Sequence, residues 1–243
     1  MAGMHLLLSG IVGSVAYGLA GPDSDVDRIG VFAAPTVAFH GLHPPRESVV
    51  TTDPDVTLHE CAKYARLALS GNPTATELMW LPEECYETRT GFGDRLIGIR
   101  AAFLSGPRVR DAYLGYASQQ FRKLTARDSD GSRSRRGGRR AELESSHISG
   151  RRRSAKHARH LARLLHQGRL LYATGVLEIR LADPEWFRAF GERVAGGALG
   201  EAEELVAAAE RDFARIRTPL PERPDEETVE RWLLDVRAAH LPR

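Results

Sequence analysis

The sequence predicts an α/β domain over residues 1–95 followed by an all-helical domain over residues 96–243. Three observations predict it. Short apolar or β-branched runs, bounded by Gly and Pro, occupy the chain before residue 60. At Glu60 the hydrophobic period changes from that of a strand to that of a helix. Beyond residue 95 nearly every segment keeps helical spacing.

The elements follow in order. Leu6-Leu7-Leu8 reads as a short buried strand running into a Gly-rich turn, and residues 14–19 as a short helix or turn. Residues 25–34 read as the second strand, closed by Pro35, and residues 36–47, with Gly41, Pro44 and Pro45, as loop. The β-branched stretches 48–52 and 55–59 suit strands. Cys61, Tyr64, Ala65, Ala68 and Leu69 then fall at i, i+3, i+4, i+7 and i+8, an amphipathic helix stopped by Gly71. Asn72-Pro73 is an N-cap followed by proline at the first helical position, restarting a helix through Leu81. Further helices are expected over 92–104, from Pro107, over 156–172, and near 185–194, 201–216 and 226–239. Residues 127–150 are rich in Ser, Gly and Arg without apolar periodicity, so an Arg-rich mobile loop is expected near 127–153.

Charge is unevenly spread. The formal net charge is +2, yet 11 of the 34 Lys and Arg lie between Arg133 and Arg163 against two acids, Glu142 and Glu144. That segment therefore carries +9 and the remainder −7, an asymmetry that speaks of anionic partners rather than of fold. The two cysteines, Cys61 and Cys85, make neither a metal spacing nor a CxxC, and a reducing cytoplasm is expected. Residues 6–20 are apolar enough to imitate a signal peptide, but no basic region precedes them and Gly10, Gly13 and Gly18 interrupt them, so no secretion and no membrane partner are expected.

The chemistry concentrates near the N-terminus. Gly13-Ser14 is a small-residue turn able to bring backbone N–H groups to phosphates. Asp25 and Asp27 follow, two residues apart, and are expected to project from one face of the second strand. Two like charges on one face repel unless neutralised, and a hard divalent cation such as Mg²⁺, which wants oxygen ligands, is the natural neutraliser. There is no P-loop Gly-Lys-Ser/Thr, no GxSxG, no zinc-ligand cluster and no Rossmann arrangement.

Gly13-Ser14, the Tyr17-Gly18 turn and Ser24-Asp25-Val26-Asp27-Arg28-Ile29-Gly30 together resemble the DNA polymerase β-like nucleotidyltransferase superfamily. Within it the chain is similar to the bacterial and phage branch associated with RNA-repair operons. Residues 67–78, Tyr113-Leu114-Gly115-Tyr116-Ala117 and residues 156–164 resemble that branch's later blocks. The resemblance spans about residues 6–180. It implies a small mixed sheet flanked by helices, an NTP substrate, and three carboxylates holding Mg²⁺, two ions being expected. Asp25 and Asp27 match the first two carboxylates, and Gly13 and Ser14 match the phosphate-gripping turn. For the third, Asp55 is chosen because it starts a segment suited to lie beside Asp25 and Asp27, with Asp53 and Glu60 as rivals.

On the 156–172 helix, Lys156, His160, Arg163 and Gln167 stack on one face, away from the apolar stripe of Leu161, Leu164, Leu165, Leu171 and Tyr172. Either this is a solvated basic face, or Lys156, His160 and Arg163 face a cleft and bind nucleotide or an RNA backbone. Arg133, Arg135, Arg136, Arg139, Arg140 and Arg151–Arg153 suit phosphate contacts without sequence preference, or plain solvation. Tyr17, Gly18, Asn72, Pro73 and Glu77 are assigned to turns, capping and packing; Tyr116 and Gln120 either touch a base or pack. The expected function is a metal-dependent transfer of NMP from an NTP to an acceptor hydroxyl, with an RNA 3′ end favoured. The alternatives are an inactive RNA-binding protein on the same scaffold, or a protein AMPylase of an antitoxin type.

Overall fold

The computed structural model describes residues 3–22, 24–130 and 140–241, with side chains over 3–22, 24–126 and 149–241. Five strands, β1 (His5–Ile11), β2 (Arg28–Ala33), β3 (Ser48–Thr52), β4 (Asp55–Glu60) and β5 (Tyr86–Arg89), form one sheet in the order β3-β4-β2-β1-β5. β2 and β4 run parallel and the other pairs antiparallel. The expected mixed sheet is thus present. β2 is the central strand, buried from Ile29 to Ala33, as a strand covered on both faces should be. The parallel register sets Arg28 against Val56, so the residues just before them, Asp27 and Asp55, begin side by side.

Helices flank the sheet: α1 (Gly13–Tyr17), α2 (Cys61–Leu69), α3 (Pro73–Leu78) and α4 (Gly91–Gly98). The all-helical region follows with α5 (Gly106–Asp130), α6 (Arg140–Thr174), α7 (Pro184–Ala195), α8 (Leu199–Arg215) and α9 (Glu226–Ala239). Local chemistry explains the boundaries. Glu60 caps α2 by accepting from the Ala62 N–H at 2.8 Å, and Asn72 Oδ1 accepts from the Ala75 N–H at 3.1 Å with Pro73 at the first position of α3. Cys61, Tyr64, Ala65 and Ala68 form the buried stripe of α2.

One hydrophobic core links the two regions. It contains Leu7, Leu8 and Val31 of the sheet, Tyr64 of α2, Leu161 and Leu164 of α6, and Trp232 of α9. α9 returns to the first region: Trp232 Nε1 donates to the Phe92 carbonyl at 3.1 Å, and Arg237 Nη1 donates to Glu60 Oε1 at 2.6 Å.

Several expectations are corrected. β2 begins at Arg28, so Asp25 and Asp27 lie in the lead-in to the strand rather than in it. α3 ends at Leu78 instead of Leu81; Pro82 disfavours helical backbone at the residue before it. The helix expected over 92–104 is α4 followed by a short 3₁₀ turn over Arg100–Phe103. Residues 127–130 and 140–153 are helical where loop was expected. Arg133, Arg135, Arg136 and Arg139 lie outside the described residues.

Candidate active site

A cleft of about 1600 Å³ lies between the edge of the sheet that starts β2 and β4 and the long helix α6. One wall carries Gly13, Ser14, Asp25, Asp27 and Asp55; the facing wall carries Arg152, Arg153, Lys156, Arg159 and His160 of α6, with Arg188 of α7. Acid faces base across it.

Gly13 is required by its place. Its φ is +69°, in the left-handed region that side chains disfavour, and an added Cβ would lie 2.2 Å from Asp27 Oδ2. The Asp27 carboxylate therefore occupies the space a side chain would need. Val12 N–H donates to the Asp27 carbonyl at 2.9 Å, fixing the turn to the lead-in of β2.

The carboxylates act on one another. Burial raises the Asp27 carboxyl above its ordinary range, the charge of Asp55 adds to the rise, and Lys156 opposes it. A hydrogen bond shared with Asp55 and the more modest charge of Asp25 push further upward. Asp25, Asp27, Asp55 and Lys156 therefore share one electrostatic neighbourhood, with Asp27 at its centre. The rivals for the third carboxylate stand apart: Asp53 does not line the cleft, and Glu60 is buried in its pair with Arg237. Among the described residues no group of three or more His, Cys, Asp or Glu side chains is arranged to hold a metal ion. The donor set nonetheless has the chemistry Mg²⁺ prefers, since hard oxygens with unfavourable mutual charge are what a divalent cation relieves.

Behind the turn lies a buried polar network that the sequence reading missed. Tyr17 of α1 donates its hydroxyl to Glu77 Oε2 at 2.6 Å, and Arg163 Nη1 donates to Glu77 Oε1 at 2.6 Å and to Gln167 Oε1 at 2.5 Å. The Arg163 and Glu77 side chains are 3% and 2% exposed. The Arg163 guanidinium also stacks on the Tyr17 ring, 4.1 Å from its centroid. Gln167 Nε2 donates onward to the Glu178 carbonyl at 2.9 Å. Glu77 is therefore an ionic anchor rather than a packing residue. The solvated-face reading of α6 also fails at Arg163 and Gln167, which are buried. The signal lay in Tyr17, Glu77 and Arg163 each falling inside a motif block.

His160 lines the cleft beside this network, whose Tyr17, Glu77 and Arg163 also reach the cleft lining. Arg163 Nη2 lies 3.2 Å from His160 Nδ1, and because arginine can only donate, Nδ1 is the acceptor and Nε2 carries the proton. Burial, then the charge of Arg163, lowers the His160 pKa to about 3, so the ring is neutral at pH 7. Tyr116 and Gln120 do not project freely: Asn72 Nδ2 donates to Tyr116 Oη at 2.7 Å, and Gln120 Oε1 lies 2.9 Å from His157 Nδ1.

A small mixed sheet that carries an Asp-x-Asp lead-in beside a Gly-Ser turn, followed by a helical region, defines a polymerase β-like nucleotidyltransferase scaffold. The family model described as RlaP, RNA repair pathway DNA polymerase beta family, matches residues 1–189. The chain belongs to that family. α8 and α9 lie beyond the matched residues. Among curated proteins no match to the chain is found. No helix among the described residues is long and apolar enough to cross a membrane.

Proposed function

We propose that this protein transfers an NMP from an NTP to an acceptor hydroxyl, releasing pyrophosphate, with the 3′ end of an RNA as the favoured acceptor. The observation that carries the reading is the convergence of Gly13, Asp25, Asp27 and Asp55 on one wall of a cleft whose other wall is cationic. Asp25, Asp27 and Asp55 would hold Mg²⁺, two ions being expected. Mg²⁺ binds through one or two carboxylates together with substrate phosphates rather than in an all-protein cage. When bound, it supplies charge neutralisation and stabilisation of the attacking and leaving oxygens.

The chain's own groups do the rest. The Gly13-Ser14 turn offers its hydroxyl and backbone to the β- and γ-phosphate oxygens. Lys156 supplies a point charge to the triphosphate from across the cleft, and the His160 Nε2–H is a neutral donor beside it. Arg163, held by Glu77, positions rather than grips: it fixes Tyr17 behind the turn and sets the His160 tautomer. Asp55 accepts the proton of the acceptor hydroxyl. The acceptor oxygen bonds to the α-phosphorus, the bond to the bridging oxygen breaks, and pyrophosphate leaves with that electron pair.

Label transfer tests this reading. Protein, Mg²⁺, RNA and each NTP labelled at the α- or γ-phosphate are incubated together. Acceptor labelled from the α position only, and lost in an Asp25→Ala/Asp27→Ala variant, supports it. Binding of RNA with no transfer from any NTP supports the inactive-scaffold alternative, and label on a protein supports AMPylation.

A further inference from the structure

The cleft is larger than one small-molecule substrate requires, since ligand pockets run about 300–1,000 Å³ against about 1600 Å³ here. Part of the excess lies along β4. Asp55, Thr57 and His59 alternate onto the cleft face of that strand, and Lys63 of α2 continues the same wall. At ~3.3 Å per residue His59 lies roughly 13 Å from Asp55, so this end of the cleft is separate from the carboxylates.

Its chemistry is also opposite in sign. His59 is oriented by its neighbour, with Ser48 Oγ 2.8 Å from Nδ1, which leaves Nε2 as the ring nitrogen for the cleft. Lys63 is only loosely paired, its Nζ 3.9 Å from Glu47, while Glu47 makes its short contact with Arg66. One ammonium, one fixed imidazole and the Thr57 hydroxyl thus line a channel leading away from the site where the proton of the acceptor would be taken. No acid from β4 or α2 lines that end.

Resting on the transferase reading, we propose that the β4–α2 end of the cleft is an acceptor subsite that binds a phosphodiester of a nucleic-acid strand upstream of its reacting hydroxyl, through Lys63 and His59. The strand would lie along β4 with its terminus at Asp55.

The test is a binding measurement that does not depend on turnover. A fluorescent oligoribonucleotide is titrated by anisotropy against wild type, Lys63→Glu and His59→Asn over a range of salt, with a fluorescent NTP analogue titrated in parallel. Lys63→Glu is expected to weaken oligonucleotide binding about tenfold or more and to reduce the salt slope by about one, leaving NTP affinity in place. His59→Asn is expected to weaken the oligonucleotide selectively without changing the salt slope. Equal losses for both ligands, no loss for the oligonucleotide, or an unchanged salt slope in Lys63→Glu would overturn the subsite. Failure of the transferase reading looks different: no label transfer, with the selective binding loss intact.

Discussion

Replacing Gly13 with alanine adds one methyl group at the base of the cleft, and its destination is fixed by the backbone. The residue has φ +69°, where an L side chain costs roughly 1–2 kcal/mol. The methyl would stand 2.2 Å from Asp27 Oδ2, against about 3.5 Å for ordinary contact, so the carboxylate must retreat by about 1 Å. A misplacement of ~1 Å in a positioned catalytic group costs on the order of 100-fold in rate. Single-turnover transfer from an α-labelled NTP measures the rate, and thermal unfolding measures the strain, with a Tm loss of about 2–4 °C per kcal/mol for a chain of this size. Gly115→Ala is the control: Gly115 is exposed on α5 with nothing near its added Cβ, and the substitution should raise stability by roughly 0.5–1 kcal/mol. A Gly13→Ala protein that transfers within a few-fold of wild type would refute the claim that Gly13 makes room for Asp27.

The buried pair gives a second expectation: Arg163→Met leaves Glu77 uncompensated and should cost about 3–5 kcal/mol in urea unfolding, whereas Arg163→Met with Glu77→Leu should recover part of the loss. His160 gives a pH signature. Its folded pKa of about 3 lies below the ordinary 6.5, so the unfolded chain binds its proton first and stability falls as pH drops from 6.5 toward 3; His160→Asn should flatten urea-unfolding stability over that window, and an unchanged slope would contradict the assignment. Trp232→Ala, removing a fully buried ring and its hydrogen bond to Phe92, should cost about 3–5 kcal/mol; a Tm unchanged by it would mean α9 is dispensable.

The parts of the fold legible in the sequence are those whose signal is local. The Asn72-Pro73 start of α3 and the apolar stripe of α2 needed only capping and period, and α9 falls at the expected residues. The first half of α6 was illegible because apolar periodicity reports burial, not helicity. Arg140-Ala141-Glu142-Leu143-Glu144 are good helix formers with no apolar stripe to announce them. β5 was missed because Tyr86-Glu87-Thr88-Arg89 is only four residues long and takes its identity from pairing with β1.

The candidate site divides the same way. Gly13, Asp25 and Asp27 form a contiguous motif. Asp55 depended on guessing that its strand lies beside β2, which the register now gives. The Tyr17–Glu77–Arg163 network joins residues separated by 60 and 86 positions, and no local pattern encodes such a contact. Strand alternation already puts Thr57 and His59 on the face of Asp55, whereas Lys63 was passed over because one lysine on a helix carries no signal until a cleft brings it beside them.

The most direct measurement is NTP affinity with Mg²⁺ and with EDTA, by calorimetry, in wild type and in Asp25→Asn/Asp27→Asn. If the carboxylates and the Gly13-Ser14 turn seat a metal-bound triphosphate, Mg²⁺ tightens wild-type binding about tenfold or more, and the double variant loses that gain while keeping its folded stability. NTP binding that is indifferent to Mg²⁺ in wild type, or equally metal-dependent without the two acids, would contradict it.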